Sequence, residues 1–193
     1  MTDARSSPPA TALWSPRRGF LRRFGYARSG ATAVEFALVV LPFLGLVFAT
    51  LELGMMLLVS TSLESSAQQA ARTIRTGQFQ SGAGTAAAYK TAVCNGMGWL
   101  AADCQANLYV DVRTFNTFAA VSGPPPIVNG AINPASMTFQ AGAACSIVLA
   151  RAFYNWTLLA PDLSGVAHMN GNKVLLTAAG AFRNEPFSGQ VCL

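Results

Sequence analysis

From Phe36 to Val59 the chain runs through Leu, Val and Phe with few interruptions, and a carboxylate stands at each of two telling points, Glu35 at its head and Glu52 inside it. An apolar run this long limits the backbone to very few options. A bilayer span needs about 20 predominantly apolar residues, whereas the apolar core of a secretory signal is about 7–15. The run therefore predicts a single membrane-spanning helix over residues 31–60, since in hydrocarbon a lone segment can satisfy its peptide groups only as a helix. Pro42 falls mid-span, where a modest kink is tolerated. Gly45 and Ala49, four apart, form a small-residue pair that lets helices approach, a pattern of little specificity by itself. A carboxylate at the bilayer centre costs about 2.5–3.5 kcal/mol, so Glu35 and Glu52 need an account.

Charge gives the orientation. Arg5, Arg17, Arg18, Arg22, Arg23 and Arg28 precede the run against one acid, Asp3, while from Ala31 onward seven basic residues meet seven acidic ones. The net charge of +5 therefore belongs to the leader. A nucleic-acid-binding face would spread such residues among stacking or base-reading groups; here they stop where the apolar run begins. The asymmetry predicts a cytoplasmic leader, residues 1–30, rich in Ser, Pro, Ala and Arg, and a C-terminal part, residues 61–193, outside the cytoplasm.

Beyond the span the helical period continues. Leu63, Ala67, Ala70 and Ile74 form one apolar stripe, and Gly77 after Arg72 and Arg75 suits a helix end with cations in its last turn. One helix of roughly 45 residues, reaching about residue 76, is expected. A second helix is expected over Ala86–Leu100. Residues 108–115 alternate, with Leu108, Val110 and Val112 on one face and Tyr109, Asp111, Arg113 and Phe115 on the other, as in a half-buried strand. Asp111 and Arg113 read as a solvated or cross-strand pair. Residues 123–134 read as loop. Cys145–Tyr154 reads as a central strand, although its length also allows a helix. Residues 161–172 are turn-rich, and Lys173–Phe182 forms the last strand. The fold class is α+β: a long N-terminal helix packed on a small antiparallel sheet.

Four cysteines, Cys94, Cys104, Cys145 and Cys192, all follow the span. In an exported domain an even count predicts two disulfides among three connectivities; the competing state is four buried thiols. Their spacing matches no zinc pattern. The short Cys94–Cys104 separation and the placement of Cys145 and Cys192 at strand ends predict the pairs Cys94–Cys104 and Cys145–Cys192.

Function enters at Gly30. With Ala31 counted as the first residue after it, Glu35 is fifth and Phe36 sixth, behind a basic leader and ahead of a span. This arrangement resembles the processing site of type IV pilins. The resemblance implies a prepilin peptidase that cuts between Gly30 and Ala31 on the cytoplasmic side, and a Glu35 that pairs with the new N-terminal amine of a neighbouring subunit. The physics agrees, since an ammonium and a carboxylate in low dielectric each carry a desolvation cost that pairing relieves in part. The alternative places Glu35 idle among lipid headgroups.

A narrower resemblance rests on Gly30-Ala-Thr-Ala-Val-Glu-Phe-Ala-Leu38, Leu51-Glu-Leu-Gly54, Ala70-Ala-Arg-Thr-Ile-Arg-Thr-Gly-Gln78, Asp111-Val-Arg-Thr-Phe115 and Phe182-Arg-Asn-Glu-Pro-Phe187. Together these resemble the TadE family of tight-adherence pilus proteins. The family implies a pilin-like minor pilin or pseudopilin of the bacterial inner membrane with a periplasmic domain. Its implied partners are other pilins and an inner-membrane assembly platform. Some relatives keep the span uncut as an anchor. Glu52, about 26 Å along the helix from Glu35, falls near the outer edge of the hydrocarbon, either as an interfacial carboxylate or as a contact to another subunit or the platform.

No nucleophile motif, phosphate loop or metal-spaced cluster is present, and the single histidine, His168, lies in a turn-rich stretch. A structural protein without cofactor, metal or nucleic-acid partner is expected. One rival is an uncleaved periplasmic scaffold of the same machine; another is a tethered enzyme or ligand-binding domain, for which the sequence offers no polar cluster.

Overall fold

A computed structural model describes residues 30–82, 84–159 and 168–192. The leader read as cytoplasmic lies outside the described residues but for Gly30, as does most of the turn-rich stretch before His168. Helix α1 spans Ala31–Arg75, 45 residues, and continues through Pro42. The chain divides within it, between Leu44 and Gly45, into two units.

In the first unit, residues 31–39 are exposed all round the helix, Phe36 to 68% and Leu38 to 69%. In the second unit the helix changes character. Val59, Leu63, Ala67, Ala70 and Ile74 are buried along one side, which is the expected stripe. The helix stops at Gly77, whose φ of 75° is left-handed and whose N–H donates to Ile74 O at 3.1 Å. A Cβ there would lie 2.5 Å from the Phe187 ring, so conformation and packing both require glycine.

A one-turn helix α2 (Gln78–Ser81) leads to α3 (Ala86–Gly96). Thr85 caps α3 by accepting the Ala88 N–H at 3.2 Å, as an N-terminal hydroxyl should. The expected helix over Ala86–Leu100 ends early, at Gly96. A 3₁₀ turn (Gly98–Leu100) follows, and then an unanticipated helix α4 (Ala101–Asn107). Two glycines cause the break. Gly96 sits so close to Ser66 of α1 that a Cβ would lie 2.8 Å from its Oγ, and Gly98 has a φ of 60°.

Strand β1 (Leu108–Phe115) leaves α4 directly. The following connection contains a small hairpin, β2 (Ile127–Val128) and β3 (Ala131–Ile132), where only loop was expected. Its turn is Asn129-Gly130, with φ of 52° and 74°, the pair that a tight primed turn demands. Strand β4 (Ile147–Thr157) is the centre of an antiparallel sheet ordered β1-β4-β5, with β5 at Lys173–Arg183.

The register puts Leu108 opposite Tyr154, Val112 opposite Ala150, and Ala152 opposite Ala178 on one face. That face meets the α1 stripe, Tyr89 and Val93 of α3, and Met97 just after it in a single core. Val59, Leu63, Ile74, Val93, Val112 and Val148 are completely inaccessible, and each buried aliphatic side chain of this size is worth about 1.5–3 kcal/mol. The opposite face of the sheet is met at Asp111 and Arg151 by the long connection between β1 and β4.

Candidate functional site

The residues singled out in the sequence lie in three settings. The first is the start of α1. Gly30 immediately precedes α1, which begins at Ala31, and the direction its Cβ would take is open. Ala31 and Glu35 are one helical turn apart and share a face. Glu35 and Phe36 are both exposed, and Glu35 has no hydrogen-bond or ion-pair partner among the described residues.

Glu52 is the opposite case. It is buried, 7% exposed, although Leu51 and Leu53 beside it are open. Both carboxylate oxygens accept the N–H of Leu159 at 3.1 Å. Leu159 follows β4, so this side chain fastens the exit of the central strand to α1. The structure therefore gives Glu52 a partner inside its own chain.

The third setting is Asp111, completely buried. It is neither solvated nor paired with Arg113 alone. Its direct cross-strand neighbour is Arg151, whose Nη2 donates at 2.5 Å and Nε at 3.1 Å to Oδ2. Arg113 Nε donates to both oxygens at 3.0 Å, and the Thr138 N–H donates at 2.8 Å. Burial alone would push this carboxyl upward; hydrogen bonds from Arg113, Thr138 and Arg151 outweigh it and hold the pKa below the ordinary carboxylate value. The arginines carry the contact outward, since Arg151 Nη1 donates to Pro124 O at 3.1 Å and Arg113 Nη2 to Ser136 O. Gly123 lies so near the Arg151 guanidinium that a Cβ would approach to 2.3 Å. One buried acid thus pins the connection between β1 and β4 to the sheet.

Two disulfides close the domain. Cys94–Cys104 joins α3 to α4 with a Cα separation of 5.4 Å. Cys145–Cys192 joins the approach to β4 with the C-terminal tail, Cα separation 5.3 Å. Both pairs are those the spacing predicted. Asn184, which the sequence reading did not single out, is buried and donates to Ala141 O and Ala143 O at 3.0 and 2.9 Å, holding the turn before Cys145. Tyr154 was also missed; its hydroxyl donates to the Asp103 carboxylate, and burial followed by that acid pushes its pKa upward. His168 accepts the Leu175 N–H at 3.2 Å through Nε2.

Among the described residues no group of three His, Cys, Asp or Glu gathers in a way that could hold a metal, and α1 is the one helix long and apolar enough to cross a membrane. None of its most apolar stretch is buried inside the protein. No curated protein and no solved structure matches the chain. A family model described as TadE-like protein matches residues 30–72. The match takes in Gly30, Glu35, Phe36 and Glu52 and ends within the last turns of α1, before the motifs at Asp111 and Phe182. Residues 30–72 are a TadE-like segment, and the disulfide-bonded α+β domain is what this chain builds onto it.

Proposed function

We propose that this chain is a minor pilin or pseudopilin of a tight-adherence pilus system, anchored in the bacterial inner membrane by the first half of α1. The leader lies in the cytoplasm and the α+β domain in the periplasm. One observation carries the reading: the TadE-like match coincides with a helix whose most apolar stretch is not buried among the described residues. Two disulfides support an oxidising compartment for the domain. The role is structural, without catalysis or cofactor. Its partners are a prepilin peptidase, other pilins and an inner-membrane assembly platform.

In this reading Glu35 has its work in the assembly. Cleavage after Gly30 would create an amine on Ala31, and a neighbouring subunit's amine beside Glu35 relieves both charges of part of their desolvation cost. N-terminal sequencing of the membrane-extracted protein tests the proposal. A chain beginning at Ala31 supports a cleaved pilin. A chain that keeps its leader supports the second reading, an uncut periplasmic scaffold. A reporter fused after Leu193 should be active only outside the cytoplasm.

A further inference from the structure

The sheet ends in two edges that are treated differently. Along β1, the Val112 N–H donates to Thr138 O and the Gln140 N–H to Val112 O, each at 2.8 Å, so residues 138–140 cover that edge. Among the described residues the β5 edge is partly bare. In its ladder with β4, the Leu158 N–H donates to Asn172 O and the Asn184 N–H to Ser146 O, with no slip in register between them. Alternation then gives the even-numbered residues of β5 to β4 and turns the N–H and C=O of the odd-numbered ones outward. The ends of that outward row are occupied: Met169 N–H donates to Lys173 O, Leu175 N–H to His168, and Glu185 N–H to Arg75 O. Between them, Thr177, Ala179 and Ala181 meet no partner along this edge among the described residues.

Proteins usually guard such an edge with charges, proline or a bulge; Thr177-Ala-Ala-Gly-Ala181 has none. Beside it, between α1 and the inner face of β5, lies a cleft of about 400 Å³. It exists because its walls are small, Ala67 and Ala71 on the helix and Ala178 and Gly180 on the strand. A Cβ on Gly180 would meet nothing within 4 Å. Arg72 lines the cleft without an ion-pair partner among the described residues, whereas Arg75 is bridged to Glu185 at 3.2 Å.

We propose that this edge and cleft receive an extended segment of a partner protein by strand addition, with a bulky apolar side chain in the cleft and a carboxylate two residues along facing Arg72. Outward-pointing peptide groups in a row are complemented by another extended backbone, and alternate side chains of the added strand supply the specificity. A second copy of β5 is a poor occupant, because it would bring only Ala178 and Gly180 to a cleft that is empty for want of bulk. The surface belongs to the disulfide-bonded domain and is independent of cleavage at Gly30.

The test is amide hydrogen exchange on the full chain in detergent micelles, with a synthetic peptide Thr-Thr-Leu-Thr-Glu-Thr-Thr as probe. At saturation the peptide should slow the Thr177, Ala179 and Ala181 amides on the order of tenfold, leaving Ala178 and Gly180 unchanged. A peptide with lysine in place of glutamate should bind more weakly to the wild type and more tightly to Arg72→Glu. Gly180→Leu, which fills the cleft, and Ala179→Pro, which removes an outward donor at a position where an edge tolerates proline, should each abolish the slowing, with unchanged exchange at Val148 confirming the fold. The proposal fails if the peptide leaves the three amides unaffected, or if Gly180→Leu responds as wild type. It also fails if those amides are already slow in the protein alone and quicken on dilution, since a second copy would then occupy the edge.

Discussion

Glu35 and Glu52 stand on one helix in opposite circumstances. Glu35 lies among exposed apolar side chains with no partner among the described residues; Glu52 is buried and accepts a backbone N–H from beyond β4. The same residue type thus stands in different circumstances at two places on α1. From Glu52 onward the helix buries one side in the domain, and that carboxylate holds a backbone N–H of the same chain. Toward its N-terminal end residues 31–39 are exposed, and Glu35 there meets no partner among the described residues.

That contrast can be tested by removing acids in order of how completely the chain itself satisfies them. Asp111→Ala should have the largest effect, about 3–5 kcal/mol of stability by denaturant unfolding, because it strands Arg113 and Arg151. Loss of Cys145–Cys192 by a Cys145→Ser, Cys192→Ser double substitution should follow, at about 2–4 kcal/mol, since it closes a separation of 47 residues. Cys94–Cys104 closes a separation of only 10 and should cost less. Glu52→Ala should cost about 1–3 kcal/mol, with faster exchange at the Leu159 amide, which loses an acceptor. Glu35→Ala should leave the unfolding midpoint of the domain unchanged. A drop at Glu35 comparable to that at Glu52 would erase the distinction between the two acids.

Acid should sharpen it further. The folded pKa of Asp111 lies below its ordinary value of 3.8. Its contribution is therefore fully present above that value and is lost as pH falls through the depressed folded value. Unfolding midpoints of wild type and Asp111→Asn should differ by a constant amount from neutral pH down to the ordinary carboxylate range and converge only below it. Convergence at a higher pH would mean that the arginines do not hold the carboxylate ionised.

These assignments were unequally legible in the sequence. The α1 stripe is a local signal, spaced three and four residues apart, and the helix ends where Gly77 follows Arg72 and Arg75. Alternation in residues 108–115 gave the faces of β1 correctly. It could not give the burial of Asp111, because alternation says which way a side chain points and not what covers that side. A cue was present in Arg151, a lone charge within Ile147–Phe153, since a cation in a central strand calls for an acid opposite. The Asn129-Gly130 hairpin was readable from its turn dipeptide and was obscured by the prolines before it. Glu52 gave no local cue to its partner, which lies 107 residues away; its position in an apolar run suited a membrane boundary as well as a domain contact. The β5 edge, partly bare among the described residues, was equally hidden, because strand order is not written in any one strand.

The central claim is that Glu35 finds its partner in the assembly and not in its own chain. The most direct measurement is co-purification of full-length Glu35→Ala with the assembly from the native membrane, beside a wild-type control, after membrane extraction and both disulfides have been verified. The account predicts a correctly inserted, folded variant that is strongly depleted from the assembly, because a neighbour's amine is left uncompensated in hydrocarbon. Incorporation at the wild-type level would contradict it and leave Glu35 as an acid at the lipid headgroups with no structural duty.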